Sequence, residues 1–174
     1  MNVVFKVIVV SDTVYQDISK DISGKRAVEI IISKGYKVYD LDYIPNNFRD
    51  IVRKIMEIPN TIDVVVFLGG TGPSPRDITV DVIESMAWRK LPGFGELFRR
   101  ISYEVEGIKA ILSRAELYVL PNGIITVVLP GSPKAVEIGL NLLLEIIEHL
   151  IEEVKRFEGI HKPFESSHTI QSTN

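Results

Sequence analysis

Three observations predict an α/β fold of three layers with a mainly parallel sheet. Short apolar runs alternate with segments of helical spacing through the first half of the chain. That order builds βαβ units, whose right-handed crossovers leave the strands parallel. The run Val64–Leu68 is unbroken and rich in β-branched residues, as a strand buried on both faces requires. Late in the chain Asn122-Gly123 separates two apolar runs, which predicts a type I′ turn and one antiparallel hairpin strand on the sheet edge.

Composition narrows the class of function. At 174 residues the chain makes one domain with a proper core. A net charge of −3 without a basic stripe argues against nucleic acid as a partner. The absence of cysteine excludes disulfides, thiolate metal sites and a cysteine nucleophile. His149, His161 and His168 are too scattered in sequence to suggest a metal cluster. Residues 3–10 are apolar but short and carry Lys6, and residues 135–154 are interrupted by glutamates, so neither reads as a leader or a membrane span. A cytoplasmic protein is expected, with residues 1–157 as the folded domain and 158–174 as a polar, flexible tail.

In chain order, residues 5–10 read as the first strand and end in Ser11-Asp12-Thr13, at the carboxyl edge where open α/β sheets bind ligands. Residues 14–23 lack periodicity and read as a loop. A helix follows to Lys34, with Ala27, Val28, Ile31 and Ile32 as its buried face and Gly35 as its stop. Residues 36–44 form the second strand, Pro45-Asn46-Asn47 a turn and cap, and Phe48, Ile51, Val52, Ile55 and Met56 a helical stripe.

After Val64–Leu68 come Gly69, Gly70, Thr71 and Gly72, then Arg76 and Asp77, and a helix with Thr79 as N-cap and Trp88 as a packing residue near its end. Glycines let this backbone approach a ligand closely, and a helix start beyond them favours an anion. The loop is neither a P-loop nor a dinucleotide fingerprint, since it lacks both G-K-[ST] and G-x-G-x-x-G. Residues 91–100 read as a second irregular glycine segment leading into a helix, and residues 108–112 continue as helix. The final helix starts with Ser132 as N-cap and Pro133 behind it. It carries two apolar faces, one more than sheet packing needs, which suggests a subunit contact.

Taken in order, Ser11-Asp12-Thr13, Asp21-Ile22-Ser23-Gly24, Gly69-Gly70-Thr71-Gly72, Arg76-Asp77-Ile78-Thr79, the segment from Pro92 through Glu96 to Arg99, Ser113-Arg114 and Pro130-Gly131-Ser132-Pro133 resemble the MoaB/MogA family of molybdopterin adenylyltransferases, which is similar to the gephyrin G domain. The resemblance spans residues 5–155. It implies transfer of AMP from Mg·ATP to the terminal phosphate of molybdopterin with release of pyrophosphate, in molybdenum or tungsten cofactor biosynthesis. It also implies a homotrimer, or a hexamer made as a dimer of trimers, and a downstream metal-insertion protein as partner.

By the same resemblance Asp77 is the catalytic aspartate and a Mg²⁺ ligand. The pocket then involves Ser11, Asp12, Thr13, Gly69, Gly70, Thr71, Gly72, Arg76, Thr79, Glu96, Ser113, Arg114, Pro130, Gly131 and Ser132. Asn46 stands where active members carry a second aspartate. A carboxamide oxygen still coordinates metal but brings no negative charge. The alternative reading that suits this change is a molybdopterin-binding carrier or scaffold with little transferase activity.

Overall fold

The computed structural model describes residues 2–156, so the expectation for the polar tail lies outside the described residues. Its six-stranded sheet has the order β2-β1-β3-β6-β5-β4. β1 (Val4–Val10), β2 (Lys37–Ile44), β3 (Val64–Leu68) and β6 (Ile125–Leu129) are parallel, β5 (Glu116–Val119) runs antiparallel beside β6, and the two-residue edge strand β4 (Arg89–Lys90) pairs antiparallel with β5.

Register decides where a site can form. Val10 pairs with Ile44, Val9 with Leu68, and Leu68 with Leu129, so four strands end together along one edge. The loops that leave them are therefore neighbours, although they are far apart in sequence.

Alternation along the strands feeds two cores. Phe5, Val7, Val9, Val64, Val66 and Leu68 pack toward α2 (Ser23–Ser33), α5 (Pro92–Glu106) and α6 (Pro133–Val154). Ile8, Val10, Val65 and Phe67 pack toward α3 (Phe48–Met56) and α4 (Thr79–Met86). Lys6, which shares that second face, is buried and neutralised by Asp40 and by Asp42 at 2.7 Å. β2 is an edge strand, so its residues are mostly half-exposed and its sequence alternates where that of β3 does not.

Several elements differ from the sequence expectation, each for a local reason. Residues 14–23 are not a plain loop. Ser11 caps a short helix α1 (Asp12–Gln16) by accepting from the Val14 amide at 3.3 Å, and a 3-10 turn covers Ile18–Lys20. The buried face of α2 holds Ala27, Ile30 and Ile31, and Ile32 faces out. In the α3 stripe, Ile51 and Ile55 are buried while Phe48 and Met56 are exposed.

Thr79 is not a cap. It is the first residue of α4 and is wholly buried, with its amide donating to the Gly70 carbonyl at 3.2 Å. α4 ends at Met86, and Trp88 is exposed beneath the Arg89 guanidinium, 4.1 Å from its ring, instead of packing inside. Gly93 and Gly95 lie inside the regular helix α5, which opens directly at Pro92, and residues 107–112 form a 3-10 helix.

The hairpin turn is not type I′, because among the described residues only glycines have positive φ, so Asn122 does not. The Gly123 amide donates to the Leu120 carbonyl, the Leu120 amide donates to that of Ile124, and Gly123 has φ +82°. That is a three-residue loop, a turn with Pro121 and Asn122 at its centre followed by a glycine bulge. Pro121, with its φ preset for the first central position, favours it.

Candidate active site

The edge where β1, β2 and β3 end carries a polar cleft of about 530 Å³, lined by residues that include Ser11, Asp12, Thr13, Asn46, Arg76 and Asp77. A second cleft of about 290 Å³ adjoins it through Val10 and Ser11 and extends past Gly69 to Lys20, Asp21 and Gly131. Of the sequence-predicted site residues, Ser11, Asp12, Thr13, Asn46, Gly70, Arg76 and Asp77 line the first cleft, and Ser11, Gly69 and Gly131 line the second.

The glycine loop between β3 and α4 is held close to its neighbours. A Cβ on Gly69 would stand 2.4 Å from the Val10 carbonyl oxygen, and one on Gly70 would stand 2.1 Å from Thr79 Oγ1. Both glycines also have positive φ, +108° and +67°, which L side chains avoid. Asp77 turns its carboxylate back into the loop and accepts from the Ser74 amide at 3.2 Å, close above Gly72.

Arg114 braces this loop from behind. Its amide donates to the Thr71 carbonyl at 2.9 Å, its Nε to that of Gly72 at 3.1 Å, and its Nη2 to that of Asp77. Its Nη1 pairs with Asp81 at 2.7 Å, and the hydrogen bond from Arg114 holds the Asp81 carboxyl below the usual carboxylate range. Arg114 is thus a structural clamp on the cleft wall, with its guanidinium committed to the loop.

At the mouth of the polar cleft, Arg76 pairs with Asp12 at 2.6 Å, and the Asn46 side chain donates to the Arg76 carbonyl at 2.6 Å. Asn46 Oδ1 is buried without a hydrogen-bond partner among the described residues. In the adjoining cleft the Ser23 hydroxyl donates to the Gly131 carbonyl at 2.6 Å, which fixes the turn before α6. Ser132 caps that helix by accepting from the Ala135 amide at 3.2 Å. Asp21, itself buried, accepts from the Gly24 amide at 2.7 Å and from the Tyr43 hydroxyl at 3.1 Å. Burial, and then the Asp21 bond, push Tyr43 up to about 12.

Other expected site residues play different parts. Thr71 and Thr79 are buried beneath the loop, and Thr79 Oγ1 has no partner among the described residues. Ser113 accepts from the Ala115 amide at 3.2 Å and gives its carbonyl to Arg99, and Pro130 joins β6 to the α6 turn. Glu96 is exposed on α5 and lines neither cleft. Sequence reading missed Gln16 and Lys20 as lining residues. Gln16 lies four residues after Asp12, one helical turn away, a signal hidden by reading that stretch as loop.

A mainly parallel sheet whose strand ends carry a glycine loop, a braced arginine and two carboxylates belongs to the open α/β class, whose ligands bind at the carboxyl edge of the sheet. Comparison with known proteins gives the family. The sequence profile of a family described as probable molybdopterin binding domain matches residues 6–149. The chain is 34% identical to the "Probable molybdopterin adenylyltransferase" of Methanocaldococcus jannaschii over 162 residues, covering 88% of this chain and 95% of that protein. It is 32% identical to "Molybdenum cofactor biosynthesis protein B" of Bacillus subtilis, covering 87% and 89%. Among solved structures, the tungsten cofactor synthesizing protein MoaB of Pyrococcus furiosus superposes with a TM-score of 0.82 at 31% identity, covering 89% of this chain and 98% of that one. The chain belongs to the MoaB/MogA family of molybdopterin-binding proteins.

Proposed function

We propose that this protein is a molybdopterin adenylyltransferase of molybdenum or tungsten cofactor biosynthesis. The observation that carries the reading is the convergence of the glycine loop, Asp77, Asp12 and Arg76 on one polar cleft, in a chain 34% identical to a relative of that name. In the reaction, a phosphate oxygen of molybdopterin bonds to the α-phosphorus of ATP. The bond from that phosphorus to the bridging oxygen breaks, and pyrophosphate leaves with the electron pair.

Such transfers are catalysed largely by positioning and charge neutralisation. The Gly69 amide donates to the Leu129 carbonyl, so phosphate oxygens would draw on the amides that follow it, in a loop whose glycines let it pack closely against Val10, Thr79 and Asp77. Arg76 brings a cation to the cleft mouth, and the Arg114 clamp keeps the loop from spreading as charge develops.

The residues present fit Mg²⁺. Asp77 and Asp12 offer hard carboxylate oxygens, and the unpartnered Asn46 Oδ1 adds a neutral one. Mg²⁺ typically takes one or two protein carboxylates and completes its shell with water and substrate phosphate. When bound there it would neutralise charge on the nucleotide phosphates.

The assembly is proposed to be trimeric, alone or paired as a hexamer. An apolar groove of about 420 Å³ runs between α5 and α6, lined by Leu91, Phe94, Leu97, Leu142, Ile146 and Leu150. Ile108 and Ile111 add exposed apolar surface beyond α5. Light scattering at micromolar concentration is expected to give three or six chains, and a monomer would refute it. No helix among the described residues is long and apolar enough to cross a membrane.

The activity is tested by measuring pyrophosphate release when purified protein receives molybdopterin and Mg·ATP together. Turnover that depends on both substrates is expected. Asp77→Asn should keep the fold and slow transfer at least about 100-fold, equal to about 2.7 kcal/mol of transition-state stabilisation. Tight molybdopterin binding without pyrophosphate release would support the carrier reading, which the neutral Asn46 favours.

A further inference from the structure

Asp12 at the start of α1, Asn46 in the turn after β2 and Arg76 in the loop after β3 bond to one another in a closed ring. The Asp12 carboxylate accepts from the Asn46 amide at 2.9 Å through Oδ1 and from the Arg76 guanidinium at 2.6 Å through Oδ2. The Asn46 side chain closes the ring by donating to the Arg76 carbonyl at 2.6 Å. Two of these links act on backbone groups and hold the Arg76 main chain and the Asp12 side chain in place wherever the guanidinium points. The third is an ion pair in the open, with the Arg76 side chain 77% exposed and that of Asp12 40% exposed.

Exposed ion pairs are weak and easily traded. A guanidinium gains more from a phosphate, which carries more charge and accepts two parallel hydrogen bonds. We propose that Arg76 and Asp12 form an exchangeable counter-ion pair. The guanidinium leaves Asp12 for a phosphate of the incoming nucleotide, and the carboxylate so freed becomes a ligand for the divalent cation that the nucleotide carries. This proposal rests on the adenylyltransferase reading and deepens it.

The exchange accounts for the charge that Asn46 does not bring. Asp12 faces the same cleft as Asp77 and is positioned by Asn46 itself, so it supplies the second carboxylate. Before ligand arrives, Arg76 covers that carboxylate, and an approaching polyphosphate does not meet two bare negative charges. Phosphate and cation each favour the arrangement that the other binds, so linkage makes their binding cooperative.

The test is calorimetric titration with ATP, in Mg²⁺ and in excess EDTA, of the unaltered protein and of Asp12→Asn and Arg76→Gln. An asparagine at position 12 retains an oxygen for the Asn46 amide, so the two links to backbone groups survive and only the link to the Arg76 guanidinium is lost. Asp12→Asn is expected to bind metal-free ATP about threefold to fivefold more tightly, because the competing carboxylate is gone. It should also lose most of the enhancement that Mg²⁺ gives the unaltered protein. Arg76→Gln should weaken ATP binding about tenfold in both conditions. A merely structural Asp12 would make Asp12→Asn weaker toward metal-free ATP or leave it unchanged, and either result overturns the exchange alone. Failure of the unaltered protein to bind ATP in either condition overturns the enzymatic reading and the exchange with it.

Discussion

Arg114 donates from Nε to the carbonyl of Gly72 across 3.1 Å, joining the segment before β5 to a loop more than forty positions earlier in the chain. Its amide and its Nη2 hold the carbonyls of Thr71 and Asp77 as well. The wall of the cleft is thus set by one side chain and its own backbone.

Replacing that planar fork tests the clamp. Arg114→Lys keeps the charge but cannot reach Gly72, Asp77 and Asp81 together. Thermal denaturation should show a loss of about 1.5 kcal/mol, the worth of a charge-assisted hydrogen bond. The transfer rate should fall by about tenfold, since the loop that carries Asp77 is loosened.

Gly70 is where the loop tolerates no side chain. At φ +67°, with Thr79 Oγ1 where a Cβ would stand, Gly70→Ala must shift either the loop or α4. Chemical denaturation should report a loss of about 2 kcal/mol. Gly35→Ala, with φ +86° but open space around it, should cost less, and equal costs would mean that crowding against Thr79 is unimportant.

Asn46→Asp pits two effects against each other. The aspartate cannot donate to the Arg76 carbonyl, so the ligand-free protein should lose about 1 kcal/mol of stability. With Mg·ATP bound, the added charge should raise the transfer rate on the order of tenfold, or about 1.4 kcal/mol. Rates measured across a range of Mg²⁺ concentrations decide the second effect, and melting temperature without ligand decides the first.

Glu116 gives a pH signature. Burial raises its pKa, although it accepts from the Leu117 and Gly95 amides at 3.3 Å and lies 3.7 Å from Lys90. A carboxyl raised on folding contributes stability fully present below its unfolded pKa and lost as pH rises through its folded pKa. Glu116→Gln keeps an oxygen for both amides and stays neutral. It should therefore raise the melting temperature at pH 7, and the difference should shrink toward pH 4. A variant less stable at pH 7 would show that the Lys90 pair outweighs burial.

Much of this architecture was legible because local chemistry and tertiary structure agree. The buried run Val64–Leu68, the stop at Gly35 and the Ser132-Pro133 helix start each depend on nearest neighbours, and the fold keeps all three. Thr79 and Trp88 were misread for the opposite reason. A threonine before an apolar stripe looks like a cap, but the glycine loop folds back and buries it. Trp88 looks like core, but it precedes an edge strand that leaves it exposed. The hairpin was placed correctly, but its turn type depended on Pro121, one residue outside the dipeptide.

By itself the sequence determined the order of the longer strands and helices, all but the short α1 and β4, together with their mainly parallel arrangement and the residue types of the glycine loop, because periodicity and glycine chemistry act over a few residues. Only the tertiary structure decided what those residues do to one another. That Asp12, Asn46 and Arg76 close a ring depends on β1, β2 and β3 ending in register at one edge. That Arg114 serves the loop as a brace depends on where β5 lies in the sheet. Hydrogen bonds of this kind act over about 3 Å. The sheet must first bring distant segments within that range before the chemistry written in each becomes a site.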